Sequence, residues 1–452
     1  MTRETELPGT DESYWMATSE HPAFPALDAD RAADVVVVGG GVAGLSTAWE
    51  LTRAGRSVVV LEADRVAAGV TGYTTAKLTA AHLLVYDRLR RTRGPEGAAR
   101  YALSQQAAVE RVGAVAAELG IACDLESASA FTFTTDPGRR AEFEAEAEAA
   151  AEAGLDAACV RETELPFPVA AAVRVRRQAQ FHPRRYLLAL ASDLRARGGV
   201  VHERTRVTGL SEGSPCRVTT ESGLTVSARD VVIATHVPVF DRALLFARMS
   251  PRRELVVAAP LAAEAAPEHM YITDEGGKRS VRTAPLDADR RLLIVTGEDF
   301  TPGTGDAREG FRRLDAWMHE HFPAGPTAYR WAAQDSDVSD GVPLIGPFHP
   351  RRAPCVRRDR VRRLGDERGC AGGAAPDGDA HRGHPLLGGT LRPPPAAEHG
   401  PRGRQAADPA GGGGPALRGR PPQGHTGGLR RGDRARYGCP RAGRRAAPGR
   451  LP

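Results

Sequence analysis

The sequence predicts an α/β protein: a Rossmann-like nucleotide-binding domain, a mixed-sheet (α+β) domain inserted into it, and a disordered C-terminal tail. Three observations predict this. Asp34 to Glu62 reads as strand, glycine turn, helix and strand. Helical and strand segments then alternate before giving way to runs of short strands. Beyond Pro350 the composition loses what a packed core requires.

At 452 residues the chain is long enough for two or three domains. Its net charge of +5 conceals a split. Residues 351–452 hold 22 Arg, no Lys and 8 acidic residues, a net of +14; residues 1–350 hold 39 basic and 48 acidic residues, a net of −9. The overall basicity is therefore no sign of a nucleic-acid-binding body. Six widely spaced cysteines with no CxxC pair (Cys123, Cys159, Cys216, Cys355, Cys370, Cys439) fit a reducing compartment. The start is polar rather than signal-like. Apolar runs of about 5–8 residues fall far short of the ~20 that span a bilayer. A soluble cytoplasmic protein with no membrane or nucleic-acid partner is expected.

Residues 1–33, polar with scattered Pro, predict a loosely packed arm. Val35–Val38 is a continuous β-branched run, suited to a strand buried on both faces. It enters Gly39-Gly40-Gly41-Val42-Ala43-Gly44, and a helix follows to about Arg53, closed by Gly55. A second strand, Ser57–Leu61, delivers Glu62. Apolar spacing predicts further helices over 87–120, 138–153, 184–197 and 307–322. Strands are predicted over 125–135, 200–205, 216–220, 224–227, 231–235, 253–259, 279–284 and 291–296.

The GxGxxG turn carries the first functional signal. Gly39 permits the tight turn, Gly41 lets the backbone approach a pyrophosphate, and Gly44 lets helix and strand pack closely. The helix N-terminus offers unpaired N–H groups and a positive dipole end to phosphates. Glu62 lies 18 residues after Gly44, where a carboxylate binds ribose hydroxyls and repels a 2′-phosphate. That disfavours NADP. The fingerprint alone does not separate FAD from NAD, nor a ligand site from a glycine-rich turn that binds nothing.

The separating residues follow directly: Gly69-Val70-Thr71-Gly72-Tyr73-Thr74-Thr75-Ala76-Lys77. Others are Ser13-Tyr14-Trp15, Gln180-Phe181-His182-Pro183, Val231-Val232-Ile233-Ala234-Thr235, Met270-Tyr271-Ile272 and Asp340-Gly341-Val342-Pro343-Leu344-Ile345-Gly346-Pro347. Over residues 13–350 the chain resembles the D-amino-acid oxidase/glycine oxidase (DAO) family of FAD enzymes. More narrowly, it resembles the bacterial branch that often carries a C-terminal Rieske iron–sulfur domain.

The resemblance implies an FAD-binding domain assembled from residues 34–100, 172–245 and 332–350. The substrate domain would come from 101–171 and 246–331. It implies oxidation of an amine or amino acid, with hydride leaving the amine-bearing carbon for flavin N5 and oxygen or another acceptor reoxidising the flavin. The alternatives are a dehydrogenase serving a Rieske partner and a non-catalytic truncated product.

Implied cofactor contacts are Gly39, Gly41, Val42, Ala43 and Gly44 at the pyrophosphate and Glu62 with Ala63 at the ribose. Thr71, Thr74, Thr75 and Lys77 fall in the loop past the pyrophosphate and flavin, Val207 on the adenine side, and Thr235 at a strand end. The alternative for the threonines is an ordinary turn capping a helix. Tyr271 and Arg282 are candidates to hold a substrate carboxylate, since a bidentate Arg suits that anion; a solvated or ion-paired role is the plainer one. His182 and His236 are either general bases or structural. No metal site is expected: Cys355, Cys370 and Cys439 lack Rieske spacing with His381 and His384.

Residues 351–452 hold 22 Gly and 14 Pro and no Phe, Trp, Ile, Met, Lys, Asn or Ser. Such a segment buries too little to offset its ordering entropy. Relatives continue after Gly346-Pro347 with a strand and a glycine-rich turn onto a helix whose N-terminus lies against the flavin. GC-rich codons for Cys355–Glu367, read one nucleotide forward, permit YVATGFGGWGMS, which resembles that missing motif. A frameshift near residues 350–355 is therefore expected. The alternative, a basic nucleic-acid-binding tail, lacks Lys and has Tyr437 as its one aromatic residue.

Overall fold

Val35–Val38 are each no more than 4% exposed, as a strand covered on both faces must be. The computed structural model describes residues 6–240, 247, 249–338, 343, 345–349 and 352–358. Its elements begin with β1 (Thr10–Asp11), α1 (Tyr14–Ala17), β2 (Arg31–Val38), α2 (Val42–Arg53), β3 (Val58–Leu61) and β4 (Lys77–Leu78). Next come α3 (Tyr86–Glu118), β5 (Glu126–Thr134), α4 (Arg140–Glu152), β6 (Ala157–Val160), β7 (Ala171–Gln180) and α5 (Pro183–Ala196). The middle holds β8 (Val200–His202), β9 (Val207–Ser211), β10 (Cys216–Thr220) and β11 (Thr225–Ile233). The last group is β12 (Met249–Ala262), β13 (Met270–Thr273), β14 (Arg279–Pro285), β15 (Arg290–Phe300), α6 (Ala307–His321), β16 (Tyr329–Val338), β17 (Ile345–His349) and β18 (Arg352–Arg358).

One sheet runs β17-β18-β11-β2-β3-β8, with the β9–β10 pair joined through β11. From β18 to β8 its neighbours are parallel. Val36 is opposite Val59 on one side and Val231 on the other. The period-2 alternation of a strand then sorts the valines. Val35 and Val37 face a core built with Leu45 and Trp49 of α2 and Leu187 and Leu194 of α5. Val36 and Val38 face a second core with Val207, Val218 and Ile233.

The other sheet runs β1-β16-β12-β15-β14-β13-β5-β7-β4, with β6 also on β7. Its long antiparallel ladders, β16 on β12 and β12 on β15, bury Leu255, Val257, Leu293 and Val295 against Leu314 and Met318 of α6. The mixed α/β architecture expected from the sequence is thus the one observed. Among the described residues no helix is long and apolar enough to cross a membrane.

Four expectations need correction. The first 33 residues are not a loose arm: Ser13, Trp15 and Phe24 are at most 1% exposed. Ser13 caps α1 by accepting the Met16 N–H at 3.1 Å, and the Tyr14 hydroxyl donates to the Pro285 carbonyl at 2.7 Å. Apolar residues in a polar segment find a core that the neighbouring sequence does not contain.

Secondly, most of β7 and of β16 overlaps the expected nucleotide-binding segments 172–245 and 332–350, yet both lie in the larger sheet. Their hydrogen-bond partners, β5 and β12, are distant in sequence. Thirdly, strands expected at 224–227 and 231–235 are one strand, β11. Lastly, the expected tail starts too early: β18 spans Arg352–Arg358, and its Cys355–Arg357 pair in parallel with β11. The rest of that tail, residues 359–452, lies outside the described residues.

Candidate functional site

The strand β2 stops at a turn in which Gly39 has φ +108°, and a Cβ there would meet the Ala234 carbonyl oxygen at 2.3 Å. Gly44 packs the first turn of α2 directly onto that bend, since its Cβ would lie 1.9 Å from the Gly39 oxygen. Gly41 is the N-cap of α2 and lacks a side chain that would fill the space in front of the helix end. The first N–H groups of a helix have no partner within it. One of them, on Val42, donates to Thr71 Oγ1 at 3.1 Å, so the threonine turn does cap this helix.

These parts border a cavity of about 380 Å³, within the ~300–1,000 Å³ typical of small-molecule sites. The glycine turn contributes Gly39, Gly41, Val42 and Ala43; the end of β3 contributes Glu62 and Ala63. Thr71, Thr74 and Thr75 line it from the following turn, Val207 from the start of β9 and Thr235 from just after β11. The Glu62 carboxylate accepts the Gly40 N–H at 2.6 Å and the Asp64 N–H at 2.9 Å.

Two expected contacts do not line the cavity. Gly44 sits beneath it, in the helix–strand contact. Lys77 is buried in the larger sheet, where β4 pairs with β7. Its ammonium donates to the Tyr271 carbonyl at 3.2 Å and to Ser280 Oγ. Burial, aided by Arg282 and Lys278, lowers its pKa to about 7.

The substrate candidates are also placed elsewhere. Tyr271 is fully buried, stacks on Phe131 at 4.8 Å and donates its hydroxyl to Glu164 Oε2 at 2.9 Å; burial holds its phenol above the ordinary pKa. Arg282 is 1% exposed and directs Nη1 to the Thr75 and Ala76 carbonyls. Neither side chain lines the cavity, because strand alternation turns both into packed layers. His182 does not line the cavity either. Its Nδ1 accepts the Arg185 N–H at 3.3 Å as the N-cap of α5, and burial with nearby Arg185 lowers its pKa to about 3. His236 does line the cavity, at φ +64°.

The sequence reading missed the opposite wall. Glu254, Lys278, Gln334 and Asp335 line it from β12, the loop before β14, and β16. Lys278 Nζ donates to Glu254 Oε1. The signal was Gly276-Gly277-Lys278, three successive residues with positive φ in a hairpin loop. Among the described residues no three His, Cys, Asp or Glu side chains could hold a metal ion. The side chains of Cys355, Cys370, Cys439, His381 and His384 lie outside that set.

With this geometry in hand, comparison with known proteins gives a consistent answer. Residues 34–363 match the family model of FAD dependent oxidoreductases, DAO. The chain belongs to this family. The putative Rieske 2Fe-2S iron–sulfur protein YhfW of Bacillus subtilis (strain 168) is 31% identical over 339 residues, 75% of this chain and 66% of that protein. It supports the expected branch. The γ-glutamylputrescine oxidoreductase of Escherichia coli (strain K12) is 27% identical over 239 residues, 52% of this chain and 56% of that one. The chain thus spans under two thirds of each relative's length.

Among solved structures, glycine oxidase from Geobacillus kaustophilus superposes with a TM-score of 0.60 at 19% identity, covering 76% of this chain and 93% of that one. L-Proline dehydrogenase from P. horikoshii gives 0.61 at 17%, covering 76% and 92%. These likenesses establish the fold. FAD is the family's cofactor and the residues present fit it. A Cβ at Gly41 would press to 3.2 Å on Thr71 Oγ1 beside the helix N-terminus, where a pyrophosphate belongs.

Proposed function

We propose that this FAD-dependent oxidoreductase of the amino-acid oxidase type oxidises the C–N bond of a small amine or amino acid. The observation that carries the reading is the convergence of the glycine turn, the α2 N-terminus, Glu62 and the Thr71–Thr75 turn on one cavity. In this reading Gly39, Gly41, Val42 and Ala43 hold the pyrophosphate, and Gly44 sets the helix at the distance this needs. Glu62, beside Ala63, takes the ribose hydroxyls; Val207 borders the adenine and Thr235 the flavin side. The parallel sheet is then the FAD domain and the larger sheet the substrate domain. When bound, FAD supplies the two-electron acceptor for hydride loss from the amine carbon, and the imine product hydrolyses in water. The wall formed by Glu254, Lys278, Gln334 and Asp335 is where the protein orients the substrate.

The visible spectrum of the purified protein, reconstituted with added FAD, tests this. A flavin band that bleaches when an amine or amino acid is added without oxygen is the expected result. A colourless protein that takes up no added FAD, or a flavin that no amine reduces, overturns it. A second reading, a dehydrogenase passing electrons to a Rieske partner, is favoured by the likeness to YhfW. Stoichiometric peroxide in air argues for oxygen as acceptor; turnover only with an added electron acceptor argues for the partner. We infer further that the chain as written holds FAD weakly, since the residues after Arg358 do not spell the glycine-rich, flavin-covering turn that the family resemblance implies.

A further inference from the structure

Thr74 and Thr75 reach the cavity from a turn whose carbonyls are held in an unusual way. Five successive carbonyl oxygens, from Gly72 to Ala76, each accept from a side chain far away in sequence. Ser13 Oγ donates to Gly72 O. Trp331 Nε1 donates to Tyr73 O at 2.9 Å, and Trp15 Nε1 to Thr74 O at 2.7 Å. Arg282 Nη1 donates to Thr75 O at 3.1 Å and also to Ala76 O. All four donor residues are at most 2% exposed. They come from α1 and its cap, from β14 and from β16. They also hold one another: the Arg282 guanidinium stands 5.3 Å over the Trp15 ring.

Irregular turns satisfy most of their carbonyls with water or backbone. Here five consecutive carbonyls, Gly72 to Ala76, are each fixed by a buried side-chain donor. The same turn presents hydroxyls to the cavity and, through Thr71, caps the helix that fronts it. Fixing a ligand-binding loop before the ligand arrives removes its ordering cost from binding.

We propose that Ser13, Trp15, Arg282 and Trp331 are positioning residues that preset the Thr71–Ala76 turn for the cofactor, making the N-terminal segment a working part of the FAD site. The proposal rests on the reading of the cavity as that site. It also gives Arg282 a role: it shapes the site from behind.

The test compares the full-length parent with Trp15→Phe, which keeps a ring and loses the donor, and with Arg282→Gln and Arg282→Lys. FAD affinity is measured by titrating the deflavinated proteins. Backbone amide exchange across residues 69–78 is followed by mass spectrometry well below the unfolding temperature. One lost hydrogen bond corresponds to roughly a five- to tenfold weaker Kd, so Trp15→Phe shows that loss and Arg282→Gln a larger one, partly recovered by Arg282→Lys. Faster exchange is confined to 69–78 in the apoproteins and is reversed by saturating FAD. An unchanged Kd in Trp15→Phe and Arg282→Gln sinks the proposal, as does a loss of protection spread over the whole chain. A parent that takes up no FAD sinks the cofactor reading as well.

Discussion

A methyl group at position 44 has nowhere to go, because the Gly39 carbonyl oxygen already occupies its place. Gly44→Ala therefore forces α2 away from the turn, at an overpacking cost of about 1–3 kcal/mol, and carries the α2 N-terminus away from the cavity. Lower denaturant midpoint and weaker FAD uptake are expected together. Gly113, within α3, is the contrast: the nearest atom to an added Cβ is 3.9 Å away. Gly113→Ala gains stability, by up to ~1 kcal/mol of helix propensity. Charge at single residues can be tested the same way. The Lys77 ammonium has a folded pKa near 7 against 10.5 unfolded, so the unfolded chain binds more protons between those values. Its contribution to stability thus rises with pH from 7 to 10.5, and its penalty is complete below 7. Lys77→Met raises Tm relative to the parent more at pH 6.5 than at pH 10, read by thermal melts at matched ionic strength. His182, held near 3, acts in a lower window. Stability is lost as pH falls from 6.5 towards 3, and His182→Asn, which keeps a cap acceptor, flattens that loss.

At the scale of elements, the strong periods were legible and the distant partnerships were not. The β2–α2–β3 unit and α6 lie within a few residues of their sequence-predicted bounds because each carries its own apolar face or run. Ala171–Gln180 escaped notice because Arg174, Arg176 and Arg177 obscure its alternation, and its pairing with β5 is what makes it a strand. Half of the cavity was legible for the same reason that β2–α2–β3 was: it is local. The other half comes from β12, the loop before β14, and β16, brought there only by sheet register. Helix capping shows the same limit. The N-cap of α3, Val85, has no capping side chain; instead Glu146 of α4 accepts the Tyr86 and Asp87 N–H groups, each at 2.8 Å. Burial raises the pKa of this carboxyl. Glu146→Ala leaves two donors without acceptors and costs about 1–3 kcal/mol, whereas Glu146→Gln keeps one acceptor and costs less. Urea unfolding of the two variants checks the order.

For the whole molecule, the decisive region is where β18 ends. The sheet places Ile233 opposite both Val38 and Arg357, so β18 finishes level with the bend that opens at Gly39. Ligands of open parallel sheets bind outside the carboxyl ends of the strands, and β18 stops at that end; what matters next is the sequence that follows Arg358. As written, this is Asp359-Arg360-Val361-Arg362-Arg363. In the neighbouring frame GC-rich codons permit Thr-Gly-Phe-Gly-Gly, a sequence able to turn tightly and present backbone N–H groups to an anion. The same codons permit valine and alanine where Arg357 and Arg358 now stand, next to the strand β11 that ends in Val231-Val232-Ile233. A one-nucleotide correction at codon 355 should therefore repair the β18 strand and the glycine turn at once. The chain as written is expected to purify with well under one FAD per chain and to show its amine-dependent bleaching only after FAD is added. The corrected chain should be yellow, stoichiometric and more resistant to heat, as measured by flavin absorbance per protein and by the Tm with and without added FAD. One FAD per chain and full turnover in the uncorrected protein would mean that residues up to Arg358 suffice to hold the cofactor, and that the frame needs no repair.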